Sequence, residues 1–115
     1  MNILGINSGT SIDSLDIALF ECKENKINFI QGVEVKYPNV LKEEIKSLGP
    51  NSSILNCDKT SINLGKFVGM KTNSFLKSNK LKASLIGMHG QTIHHSNEVN
   101  KTTTILAFDT VSKLF

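Results

Sequence analysis

The sequence predicts a mixed α/β domain, with three consecutive strands at the N-terminus and crossover helices leading to further strands. Three observations carry this reading. Short blocks of apolar residues recur up to Pro38, two stretches of helical period follow, and the chain then returns to strand character. At 115 residues, 39% hydrophobic and 20% charged, the chain holds material for one core and not two.

Each element has its own signal. Residues 2–6, NILGI, form a continuous apolar run of the buried-strand type, and residues 15–21, LDIALFE, form a second strand after a polar loop. KINFIQGVEVKYP alternates around Ile27, Phe29, Val33 and Val35, until Pro38 ends it in a position suited to the first turn of a helix. Over 39–48, Val40, Leu41, Ile45 and Leu48 recur at helical spacing, and Gly49-Pro50 is the stop signal. Residues 60–78 make the longest helix, capped by Asp58 or Thr60, with Leu64, Phe67, Val68, Phe75 and Leu76 as its apolar stripe. Gly65 and Gly69 weaken its propensity and permit close packing. KASLIGMHG then reads as a short buried strand, QTIHHSNEVNKT as a polar loop and TTILAFD as a last strand. Hairpins at one edge and parallel pairing beyond follow from this order.

Charge and cysteine content exclude several function classes. All of the positive charge behind the net +3 is lysine, because the chain has no arginine. A phosphate here must therefore be met by backbone N–H groups, hydroxyls, lysine or a metal, since the planar bidentate clamp belongs to arginine. Lys66, Lys71, Lys77, Lys80 and Lys82 crowd one region, yet no aromatics interleave with them for base stacking, so they read as a solvated face and not as a nucleic-acid surface. No apolar run approaches a membrane span of roughly 20 residues, and no basic, then apolar leader opens the chain, which reads as cytoplasmic. Cys22 and Cys57 lack companions at metal-ligand spacing and read as packed thiols.

Two segments carry chemistry. In GINSGTSIDSLDIALF, residues 5–20, a strand ends in Asn7-Ser8-Gly9-Thr10-Ser11, offering successive amides and hydroxyls where Gly9 lets the chain bend toward a ligand. Asp13 and Asp16 follow, suited to a hydrated magnesium ion or to capping the turn. The same residue types build ordinary tight hairpins, so both readings stand on spacing alone. In GMHGQTIHH, residues 87–95, His89 and Gly90 lie where a buried strand meets a loop, the position at which open α/β sheets bind ligands. His89 is either a hydrogen-bonding or acid/base group or a satisfied core histidine, and Gln91 and Thr92 offer neutral donors and acceptors suited to sugar hydroxyls. His94 and His95 complete no metal motif.

Taken together, GINSGTSIDSLDIALF and IGMHGQTIHH resemble the two signatures of the anhydro-N-acetylmuramic acid kinase family, and Asp109 in TTILAFDTVSKLF resembles the aspartate of that family's Gly-Asp segment. The resemblance implies a ribonuclease-H-like lobe of the actin-like ATPase superfamily, a fold of two lobes closing on ATP and Mg2+. It implies phosphorylation of the 6-hydroxyl of 1,6-anhydro-N-acetylmuramic acid with hydrolytic opening of the anhydro bridge, a step of cell-wall recycling. Carried onto this chain, Gly9, Thr10, Ser11, Ile12, Asp13, Ser14, Leu15 and Asp16 are the nucleotide-phosphate loop, and His89, Gly90, Gln91 and Thr92 line the sugar cleft; the metal ligand is left open, with Asp13 a candidate through water.

The sequence also departs from the family. Asn7 stands where methionine is usual, Ser14 where glycine is usual, and Ala107-Phe108 where Ile-Gly precedes the aspartate. The family's catalytic aspartate and adenosine-binding segments belong to later parts of its chain, so residues 1–115 read as a single, incomplete N-terminal lobe, inactive alone, either a truncated product or a half that needs a second-lobe chain, with an apolar face suited to self-association. DTVSKLF reads as the first turns of a helix. A non-catalytic phosphate- or sugar-binding module is the alternative, and a decaying gene product without retained function is the third reading.

Overall fold

The computed structural model describes residues 1–9, 11–88, 90–98 and 101–107, with side chains described as far as Ile93. Alternation in the sequence becomes a mixed sheet: β1 (Asn2–Ser8), β2 (Ser14–Lys23) and β3 (Lys26–Lys36) form an antiparallel meander, and β4 (Leu85–Met88) lies parallel to β1. The strand order is β3-β2-β1-β4. A second, two-stranded antiparallel sheet joins β5 (Gln91–Glu98) and β6 (Lys101–Ala107).

Register decides which side of the main sheet is the core. Leu4, Ile6 and Ser8 stand opposite Leu19, Ile17 and Leu15, and all six are buried on one face. Two helices supply the other half of that layer, α1 (Asn39–Lys46) through Leu41 and Ile45, and α2 (Ile54–Ser78) through Leu64, Phe67, Val68 and Phe75. Each such large side chain taken fully out of water contributes about 1.5–3 kcal/mol of gross hydrophobic stabilisation. Alternate residues point to the opposite face, where Gly32, Ala18, Gly5 and Gly87 form a row across all four strands. Asp16 stands on that face, opposite Asn7.

The helices are fixed to one another by polar contacts as well as by packing. Glu44 on α1 accepts hydrogen bonds from the Thr60 hydroxyl (3.0 Å) and the Asn63 amide (2.9 Å) on α2. At its C-terminus α2 ends in a paired motif in which the Leu81 N–H bonds the Leu76 carbonyl at 2.8 Å and the Lys80 N–H bonds that of Lys77 at 3.2 Å. Lys80 occupies the left-handed position that this motif requires, at φ 55°.

Two sequence expectations are corrected. Helix α2 begins at Ile54 and not near residue 60, and its cap is Ser53, whose hydroxyl accepts from the Asn56 N–H at 3.1 Å, instead of Asp58 or Thr60. Its first turn leaves Ile54 and Leu55 exposed, so no apolar stripe announces it. The stretch beginning at Gln91, expected as a polar loop, is strand β5, made so by its pairing with β6. The helix expected from DTVSKLF, with Asp109 in it, lies outside the described residues, as do Thr10 and His89. Of the clustered lysines, Lys66, Lys77, Lys80 and Lys82 are exposed, and Lys71 extends over the Phe67 ring, 5.9 Å from its centre. Cys22 and Cys57 are free, half-buried thiols. Among the described residues no helix is long and apolar enough to cross a membrane.

Candidate functional site

Parallel pairing of β1 with β4 brings the carboxyl ends of both strands to the same edge of the sheet, with Ile6 in register with Met88. The loop after β1 and the segment after β4, 80 positions apart in sequence, therefore meet. Such a strand-end edge is where α/β sheets place ligands.

A buried polar chain joins the two segments. The Tyr37 hydroxyl donates to Ser8 Oγ at 2.7 Å, and Ser8 Oγ donates to Gln91 Oε1. Gln91 Nε2 in turn donates to the Gly9 carbonyl at 3.1 Å and to the Thr92 carbonyl at 3.0 Å. Ser8, Tyr37 and Gln91 are 1%, 6% and 0% exposed, so these bonds satisfy groups that would otherwise be buried and unpaired. Burial pushes the Tyr37 phenol above its ordinary value of 10.0, against a smaller opposing effect of the Ser8 hydrogen bond. Its ring packs on Phe67 of α2, with centres 5.1 Å apart.

The loop after β1 is held from inside. The Gly9 carbonyl accepts a second bond from the Ile12 N–H, at 3.2 Å. Ile12 is a β-branched residue at φ 55°, a conformation such side chains rarely adopt, and its side chain is 5% exposed within the core cluster. Core packing and the bond to Gly9 hold it there. Among the described residues of this loop, Ile12 is the one at positive φ. Gly9 is outside the left-handed region, and among the described residues a methyl group on it would meet only Ser11 Oγ, at 3.9 Å. Nothing in the packing of those residues requires glycine at that position. Gly90 differs: it is buried at φ 85°, where glycine alone is unstrained.

The remaining expected residues divide by face. Ser11 and Asp13 are exposed, Ser14 is half-buried at the start of β2, and Leu15 is fully buried in the core. Asp13 pairs with Lys42 of α1 at 2.9 Å. The Lys42 ammonium, helped by the Ser11 hydroxyl, holds its carboxyl below the usual 3.8. Asp16 lies on the other side of the sheet, so the two aspartates expected near one cation do not converge. Among the described residues no three acidic, histidine or cysteine side chains are grouped as a metal site. Thr92 is half-buried.

Three participants escaped the sequence reading. The sequence reading counts Ser8 among the hydroxyls offered to a ligand, whereas its place in the inward phase Leu4–Ile6–Ser8 is a legible sign of a buried polar partner. Tyr37, the chain's one tyrosine, and Lys42, one of many lysines, gave no local signal.

A mixed sheet with two helices packed on one face defines an α/β domain. Comparison of sequences narrows the class. The profile of the family described as "Anhydro-N-acetylmuramic acid kinase" matches residues 1–111, and the chain belongs to that family. The relative of that name from Sulfurimonas denitrificans is 30% identical over 99 residues, covering 83% of this chain and 27% of its own length. The one from Coxiella burnetii is 35% identical over 97 residues, covering 80% and 26%, and that from Saccharophagus degradans is 31% identical with the same coverage. The chain spans about a quarter of the length of these curated relatives.

Proposed function

We propose that residues 1–115 form the nucleotide-phosphate-binding lobe of an anhydro-N-acetylmuramic acid kinase, a ribonuclease-H-like unit that works with a second lobe. The observation that carries this reading is the meeting of the two signature segments at one sheet edge, braced through Gln91. The strand order β3-β2-β1-β4, with only β4 parallel to its neighbour, supports the lobe assignment. Within the segment from Gly9 to Asp16, the residues ahead of β2 take the phosphates of ATP, Gly9 leaving the space for close approach. On the family resemblance, His89, Gly90 and Thr92 are assigned to the sugar, 1,6-anhydro-N-acetylmuramic acid.

ATP with magnesium supplies the phosphoryl group in this reading. Magnesium keeps much of its water and is held through one or two carboxylates together with phosphate oxygens. Asp13, ionised and exposed, fits an outer contact of that kind, whereas Asp16 on the opposite face does not join it. This chain's own task is to bind and orient, since phosphoryl transfer depends mainly on positioning and electrostatics. Alone it binds without turnover.

Calorimetric titration with Mg-ATP and with the anhydro sugar, coupled to an ADP-release assay, tests the reading. Saturable Mg-ATP binding that Gly9→Ala weakens at least tenfold, with no ADP release, is the expected result. A Gly9→Ala chain that binds as the parent does would remove the loop from the site, and turnover by the parent would overturn the need for a second lobe.

A further inference from the structure

Gln91 sits in the segment that family resemblance assigns to the sugar, yet its side chain has no exposed surface and its amide is fully engaged. The oxygen accepts from Ser8. The nitrogen donates to the carbonyls of Gly9 and Thr92. A side chain spent in this way offers nothing to a ligand. We infer that Gln91 is a positioning residue: it sets the tilt of the peptide that opens the phosphate loop and ties that loop to the segment entering β5, so that the two halves of the site move as one unit. The inference rests on the reading of the Gly9–Asp16 loop as the phosphate site.

The geometry supports coupling over mere filling of space. Gly9 is exposed and unconstrained by sterics, so the two bonds to its carbonyl, from Ile12 and from Gln91, are what hold it among the described contacts. The Ile12 bond is internal to the loop and moves with it. Beside the exposed Asp13–Lys42 pair, the Gln91 bond is the described hydrogen bond that refers the start of the loop to another element. Gln91 is itself oriented by Ser8, whose acceptor side is occupied by Tyr37, so the amide's oxygen and nitrogen are told apart by a donor on one side and carbonyls on the other. An apolar residue of similar length would keep the volume and lose the tie.

The test uses the 15N-labelled 115-residue chain and its Gln91→Met variant, with Leu64→Ala as a control that weakens a buried position on α2 belonging to neither segment. In the ligand-free chains, Gln91→Met is expected to displace the amide resonances of Ser11, Ile12 and Asp13 together with that of Thr92, while Leu64→Ala leaves them in place at equal or greater loss of stability. In Mg-ATP titrations Gln91→Met weakens binding at least tenfold and Leu64→Ala less than threefold. Unmoved loop resonances in Gln91→Met, or equal displacement in both variants, would reduce Gln91 to a packing residue and overturn the inference. Absence of Mg-ATP binding by the parent chain would instead sink the phosphate-site reading, and the resonances alone would still decide whether Gln91 orients the loop.

Discussion

The two connections of the N-terminal meander solve the same problem in different ways. Between β2 and β3 the chain reverses with two residues, Glu24 and Asn25, both at positive φ (52° and 62°), between the paired Lys23 and Lys26. This is the minimal hairpin, whose turn type matches the twist of the strands and needs no tertiary support. Between β1 and β2 the chain uses residues 9–13. That connection is tied to Gln91, to Tyr37 through Ser8, and to Lys42 through Asp13, and it carries a buried isoleucine in a strained conformation. A reversal alone explains neither the length nor the bracing. Local strain that tertiary contacts hold in place is a mark of sites where backbone geometry matters for more than chain direction.

The difference gives an order of expected effects. Ile12→Ala removes core volume without relieving the backbone and should cost about 2–5 kcal/mol in urea unfolding. Ile12→Gly loses more side chain but regains about 1–3 kcal/mol of strain, so it should be no more destabilising than alanine. If glycine proves clearly worse, the strain at residue 12 is not real. Tyr37→Phe removes one buried hydrogen bond while Ser8 keeps Gln91, and a loss of about 0.5–1.5 kcal/mol is expected. The phenol's folded-state value lies above 10.0, so the parent's contribution from the neutral group is full below pH 10 and is lost as pH rises through the raised value. The Phe variant should lack that alkaline decline, which pH-dependent unfolding would read.

On the other side of the comparison, Asn25→Gly keeps the turn type and should change stability by less than about 0.5 kcal/mol. A large effect there would erase the contrast between the two connections. Smallest of all is the surface pair at the loop. Lys42→Ala should return the Asp13 carboxyl toward 3.8, read by NMR titration. Because that carboxyl is depressed in the folded chain, the stabilisation it brings is present above its ordinary value and lost as pH falls through the depressed one. The variant should therefore shed some acid sensitivity, and an unchanged Asp13 titration would show that the pairing does not persist in solution.

Local patterning made much of this legible. The continuous apolar run at 2–6 and the apolar stretch at 15–21 after the polar loop identified the first two strands, and Val40, Leu41 and Ile45 identified α1. What failed depended on distant partners. Gln91, Thr92 and the histidines after them read as loop because their polarity hides a strand that exists through pairing with β6. The bulge between Leu19 and Phe20, which brings Phe29 opposite Phe20, has no signal in either strand alone. In the site, the small polar loop and the Gly-Gln-Thr segment were visible as motifs. Their junction was not, because Ser8, Tyr37 and Gln91 are brought together only by the sheet and α2.

The most direct test of the phosphate-site reading is a titration of the 15N-labelled chain with Mg-ATP, following the two connections in the same spectra. The account predicts saturable displacement of the Ser11, Ile12 and Asp13 amides while those of Glu24 and Asn25 stay in place. Displacement of neither connection, or of both alike, would contradict it and leave the longer one as a braced turn without a ligand.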